Sequence, residues 1–218
     1  HLDNKVDEVT SCRVVEEFGT CGLTGELADP NLDGPGQKWN AFWFREGGGG
    51  KENAAGNGGA GQGKITYFST SAIRTIFAYT VRSGTDDEAL MGACSFLRDY
   101  SHDGQRWKRD AYWGRVVGEH EDRIVLPTQE REAIDKFRLS LGLKRTPSQA
   151  GLSLAIPSPK PFVLESAKQI VIAEFFVPLL RGDLVVEFED QVVDMNNVEE
   201  LAEKILPDSR ARELQTCM

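Results

Sequence analysis

Two glycine-rich clusters hold the residues best suited to chemistry. One runs Gly56-Asn57-Gly58-Gly59-Ala60-Gly61-Gln62-Gly63-Lys64 and leads straight into an amphipathic stretch. Glycines let a backbone approach a ligand closely, and N–H groups at a helix N-terminus attract an anion. Lys64 adds a full positive charge for phosphate. Gly47–Lys64 therefore reads as a nucleotide loop, with ATP the expected nucleotide; a flexible linker is the plainer alternative. The other cluster, Glu17-Phe18-Gly19-Thr20-Cys21-Gly22-Leu23, follows a short β-branched run. Its glycines suit a tight turn, and Glu17 can accept a hydrogen bond from a base amine. An ordinary strand-ending turn accounts for the same residues.

Gly58–Lys64 also fits the GxxxxGK part of a Walker A motif. Ile65 stands where a Ser or Thr hydroxyl would hold magnesium, and the loop follows no buried strand. A P-loop phosphotransferase is therefore an alternative reading. Other candidates have simpler explanations. Gln105-Arg106-Trp107-Lys108-Arg109 mixes cations and aromatics beside an Asp-Gly turn, which fits an exposed hairpin. His102 and Asp103 belong to that turn, and no nearby serine or cysteine completes a nucleophilic set. Ser69, Thr70 and Ser71 are expected to face solvent or bond back to their helix. Arg74 and Arg82 are expected to pair with surplus acids rather than with phosphate.

The elements that must position these residues follow from pattern and turn chemistry. Ser11–Glu16 reads as a strand. Periodicity is lost from Gly25 to Gly63, apart from the aromatic patch Trp39–Phe44, and so long a loop reads as a functional lid. Lys64–Phe77 has helical spacing. Tyr79–Arg82, Ala89–Leu97 and Ala111–Val117 read as strands, with a hairpin turn at 102–105. Thr128 is the expected N-cap of a helix ending at Gly142. Gly151–Ile156 is a strand, Phe162–Val177 a helix, Asp183–Phe188 a strand and Val198–Leu206 a final helix. The expected fold is α+β: a two-layer sandwich with helices on one face of a mixed, largely antiparallel sheet. The expected division is 1–126, with lid 25–63, and a C-terminal α/β region 127–218.

Composition bounds the function classes. The net charge of −9 argues against a dedicated nucleic-acid binder. Nine acids against three bases from Glu187 to Met218 fit a solvated acidic face. No run is long and apolar enough to span a membrane. The start at His1 suggests a piece of a longer chain, and no signal peptide is visible. Four scattered cysteines and three unclustered histidines form neither a disulfide framework nor a metal site, so a reducing cytoplasm is the expected compartment.

The order of these features resembles the GHKL ATPases, the superfamily of gyrase, Hsp90, histidine kinases and MutL. Its wording is most similar to large uncharacterised bacterial ATP-binding proteins of that superfamily. The resemblance covers about residues 11–120 and implies a Bergerat-type fold, here incomplete. It matches Glu17, Gly19 and Gly22 to the first glycine box, whose acid contacts the adenine amine. Gly59, Gly61 and Gly63 match the second box, with Lys64 at the phosphates. It implies ATP and Mg2+ as ligands and a nucleotide-driven conformational or homodimer switch. The family acid is normally Asp, one methylene shorter than Glu17. The family's catalytic glutamate and magnesium-binding asparagine lie on a helix upstream of the first box, and residues 1–16 contain none. Hydrolysis is expected only if an upstream part supplies that helix. The rival class is a non-enzymatic interaction module, a degenerate nucleotide fold that docks a protein partner.

Overall fold

The computed structural model describes residues 11–29, 31–32, 34, 36–44, 62–84, 88–119, 123–189 and 191–207. The chain forms two compact units, His1–Lys160 and Pro161–Met218. The boundary expected at 126/127 falls inside the first unit, because a strand beyond residue 150 belongs to that unit's sheet.

The first unit is built on a five-stranded sheet of order β1-β9-β2-β3-β6. Its members are β1 (Cys12–Phe18), β2 (Thr75–Val81), β3 (Ala89–Phe96), β6 (Asp110–Trp113) and β9 (Gly151–Pro157). Every pairing in it is antiparallel, rather than mixed. β2 and β9 are central, and their sequences, TIFAYTV and GLSLAIP, are largely buried. Such β-branched and apolar runs suit a strand covered on both faces.

Both faces are indeed covered. On one, Ile76, Ala78, Leu90, Cys94, Leu152, Leu154 and Ile156 pack against Trp39 and Trp43 of α1 (Lys38–Trp43) and Phe68 of α2 (Gln62–Thr70). On the other, Tyr79, Val81 and Met91 meet Ile134 and Phe137 of α3 (Arg131–Leu141). The arrangement is α+β as expected, but with helices on both sides instead of one.

Several local expectations shift for identifiable reasons. The helix expected over Lys64–Phe77 ends at Thr70, and Thr75 onward joins the sheet. Cross-strand pairing of Ile76 and Phe77 outweighs their helical spacing. The break is fixed by Ser71, whose hydroxyl donates to Pro157 O at 2.8 Å and accepts from Thr75 N–H at 3.3 Å. Ser71 is therefore buried, whereas Ser69 and Thr70 bond back to Thr66 O and Tyr67 O as expected. The strand expected over Ala111–Val117 breaks at Gly114, where a Cβ would sit 2.1 Å from Leu126 O. Beyond it, β7 (Arg115–Val117) pairs with β8 (Ile124–Leu126). Thr128 is bridged to Met91, so Glu130 takes the N-cap position of α3. Gly142 ends α3 in the left-handed conformation, as its sequence position implies. Asp103 and Gly104 both take positive φ between β4 (Tyr100–His102) and β5 (Gln105–Trp107), an exposed hairpin.

Cys94 lies within this core. Burial, with the charge of Asp110 adding to it, pushes its thiol up from 9.0 to about 12. The folded state thus holds this proton more tightly than the unfolded chain does. The stabilising contribution is complete below pH 9.0 and is lost as the pH rises toward about 12. Urea titrations across that window are expected to show falling stability, with a smaller fall for Cys94→Ala.

In the second unit, Ile172, Phe176 and Leu179 of α4 (Leu164–Leu180) pack on Val193, Val198, Leu201 and Ala202. Val193 closes the hairpin of β10 (Val186–Phe188) with β11 (Gln191–Val193), and the other three lie on α5 (Val198–Ile205). Glu199 and Glu200 occupy the first turn of α5 and Lys204 its last, which complements the helix dipole. Glu187, Glu199, Glu200 and Glu203 are exposed, consistent with a solvated acidic face. Among the described residues no helix is long and apolar enough to cross a membrane.

Candidate functional site

Adjacent acids at the end of β1 point to opposite faces of the sheet and have different fates. Glu16 shares its face with Ser153 and is fully engaged. Its carboxylate accepts from Ser153 Oγ at 2.7 Å, Lys144 N–H at 2.8 Å and Arg145 N–H at 3.2 Å. Glu17 pairs across the strands with Leu152, on the α1/α2 side. Its side chain is exposed and accepts a 3.2 Å bond from Thr20 Oγ1. Burial raises the Tyr67 phenol above its ordinary value, and the nearby charge of Glu17 raises it further. Glu17 therefore lies within electrostatic reach of the Tyr67 side chain, which α2 carries. The C-terminus of α2 is tied to the far end of β9, where Lys160 N–H donates to Thr70 O at 2.7 Å.

The two glycines of the first box are not equivalent. Gly19 has φ +74° and open space around it. Gly22 has φ +68°, but its Cα faces inward: a Cβ there would lie 2.3 Å from Val81 O and 2.7 Å from Thr80 Oγ1. Thr80 is buried, accepts from Leu23 N–H and donates to Gly151 O, each at 2.9 Å. Gly22 thus lets the turn seat on the ends of β2 and β9. Gly22 is buried, whereas Gly19 is exposed.

Of the second box, Gly59 and Gly61 lie outside the described residues, as do residues 45–61 of the expected lid. Gly63 and Lys64 form the first turn of α2. Gly63 is exposed, and a Cβ there would meet open space, while Lys64 is half-buried and donates to Ala41 O at 3.5 Å. The opening part of the expected lid is not a loose loop. It includes α1, whose Trp39, Asn40 and Trp43 are buried, and Asn40 Nδ2 donates to Asp29 O at 2.7 Å.

Arg82 is buried and pairs with Glu88 at 2.8 Å, the ion pair expected for it, and it also donates to Gly25 O. The most heavily bonded cation, Arg145, carried no local signal in the sequence. It is fully buried and donates to Glu17 O, Gln149 O, Ala150 O, Leu152 O and Ser153 Oγ. Its guanidinium also lies 4.5 Å from the Phe18 ring centroid, so it holds the strand end that presents Glu17.

Two concavities are lined by residues other than Glu17, Gly19, Gly22, Gly63 and Lys64. One is a shallow groove along α3 lined by Arg131, Asp135 and Leu139; the other is a narrow crevice among Trp39, Trp43, Tyr112 and Leu126. Among the described residues no group of three or more His, Cys, Asp or Glu side chains could hold a metal ion. No family model matches the chain, and no curated protein or solved structure matches it either.

Proposed function

We propose that this chain is an ATP-binding domain of GHKL type, with Glu17 accepting the adenine amine beside the open backbone of Gly19. The observation that carries this reading is the division of labour between neighbouring acids. Glu16 is consumed by Arg145, Lys144 and Ser153, whereas Glu17 is exposed on the side where α2 follows the glycine-rich segment. The order of strand, acid-x-Gly turn, glycine-rich segment, helix and antiparallel strands supports it further. Helices on both faces depart from a two-layer Bergerat sandwich. The reading assigns no protein ligand to Mg2+ and no hydrolytic step.

A non-enzymatic interaction module is the second reading. It is favoured by the inward seat of Gly22 and by the bond from Lys64 to Ala41 O, both of which occupy groups the first reading would use. Titrating a fluorescent ATP analogue into the protein, with and without Mg2+, separates the two. Saturable binding is expected, weakened about tenfold in Glu17→Ala, the loss of one hydrogen bond to a charged acceptor. Absence of binding up to millimolar analogue would leave the interaction module standing and remove the nucleotide reading.

A further inference from the structure

The turn that carries Gly19 and Gly22 also places a thiol against an amine. Lys38 Nζ lies 2.6 Å from Cys21 Sγ. Even an N–H···O bond, with its smaller acceptor, spans about 2.7–3.2 Å between heavy atoms. Two atoms as large as nitrogen and sulfur are therefore closer than a hydrogen bond between them would hold them. They are also too far apart for a direct S–N bond. A single oxygen atom bonded to both would set them at about this separation.

The pair is held by the surrounding chain rather than by chance contact of side chains. Cys21 is anchored from both sides, since Ser83 N–H donates to Cys21 O at 3.1 Å and Leu23 N–H donates to Thr80 Oγ1 at 2.9 Å. Lys38 opens α1, and the segment before it is bound to the segment after Cys21. Trp39 N–H donates to Thr24 O at 2.8 Å, Thr24 Oγ1 to Gly36 O at 3.1 Å, and Glu26 N–H to Gln37 Oε1 at 2.8 Å. Gly25 approaches so closely that a Cβ on it would sit 2.8 Å from Gln37 Cα. Holding both reactants at contact converts a bimolecular coupling into an intramolecular one. Cys21 is half-buried and Lys38 exposed, so a small oxidant can reach the pair. Cys94, by contrast, is buried, and the Cys12 thiol donates to Arg13 O at 3.9 Å.

We propose that Cys21 and Lys38 form a redox switch in which a peroxide joins them through a bridging oxygen, Sγ–O–Nζ. The balance closes with two molecules of hydrogen peroxide. The ammonium first gives a proton to solvent. The first peroxide oxidises the thiol to a sulfenic acid and leaves one water. The second removes the hydroxyl hydrogen and one amine hydrogen as the O–N bond forms, leaving two more waters. Four electrons pass from the pair to the two peroxides, and one oxygen stays in the protein. Excess dithiol returns the four electrons, restores thiol and amine, and releases that oxygen as water. The bridge fastens the Gly19–Gly22 turn to the start of α1, so oxidation locks this part of the fold. This inference does not depend on nucleotide binding.

The test is intact-protein mass spectrometry of the whole chain before and after hydrogen peroxide, followed by peptide mapping. The expected product gains one oxygen and loses two hydrogens, joins the Cys21 and Lys38 peptides, and reverts with dithiothreitol. Cys21→Ser and Lys38→Arg are each expected to abolish the joined peptide, while Lys38→Arg stops at the sulfenic acid, trapped by dimedone. Loss of two hydrogens without oxygen would mean a direct S–N bond and overturn the bridge. Oxygen gain alone in the unsubstituted protein, or no change at Cys21, would overturn it equally.

Discussion

Replacing Arg145 by methionine is expected to lower the unfolding free energy by about 3–5 kcal/mol, the cost of breaking a buried charged network from one side. The guanidinium has five acceptors, and four of them are backbone carbonyls at the junction of β1, β9 and the loop before β9. Methionine fills much of the volume and satisfies none of them. Glu16 then keeps its bonds to Ser153 and two backbone amides but loses the favourable charge of Arg145. Lysine is expected to recover only part of the loss. An ammonium has three donors and no planar fork, so it cannot reach acceptors on both sides. Equilibrium urea unfolding of the three proteins measures the series. A loss below about 1 kcal/mol for methionine, the worth of one ordinary hydrogen bond, would show that the network is not what closes this corner.

The second large effect separates the two glycines of the first box. Alanine at Gly19 meets open space and incurs only the left-handed backbone penalty, about 1–2 kcal/mol. Alanine at Gly22 incurs that penalty and drives a methyl group into Val81 O and Thr80 Oγ1. Making room requires a shift at the end of β2, which adds about 1–3 kcal/mol. Gly22→Ala is therefore expected to be the less stable by a clear margin, as thermal or urea midpoints will report. Equal midpoints would contradict the inward seat of Gly22. The contrast bears on function as well. A defect in ligand binding at Gly22→Ala follows from a damaged fold, whereas one at Gly19→Ala reports on the open side of the turn.

How much of this was readable beforehand depended on the range of the forces involved. β1, β3, β9 and the Tyr79–Val81 end of β2 were legible because β-branched and apolar runs bounded by turn residues state their own conformation. Gly142 and the Asp103-Gly104 pair were legible because their backbone angles exclude most other residues. α1 was not. Six residues without a side-chain cap make a poor helix alone, and this one forms because Trp39 and Trp43 find the sheet. The end of α2 at Thr70 was hidden for a similar reason, since Ile76 and Phe77 fit either a helix face or a strand until their partners are known. At the site, Glu17 could be picked out by type and spacing. Its distinction from Glu16 could not, because strand alternation gives two faces without saying what covers each. Gly22 owes its role to Thr80 and Val81, and Arg145 ties its own neighbourhood to the distant Glu17 O, pairings which no local pattern encodes.

The place of β9 in the sheet has a consequence for how the protein is made. β9 is the last strand of its unit to leave the ribosome, yet it lies between β1 and β2. Until Pro157 has emerged, β1 has no neighbour to pair with, and one edge of β2 stands bare. The nascent chain can close the β2–β3–β6 part early, since those strands are close in sequence. It must then keep a seven-residue slot open for a strand that arrives late. Any shortened version that stops before residue 151 leaves that slot empty, and with it the turn that carries Glu17, Cys21 and Gly22. Such a fragment exposes two unpaired strand edges and is destined for a chaperone or an aggregate rather than for a ligand.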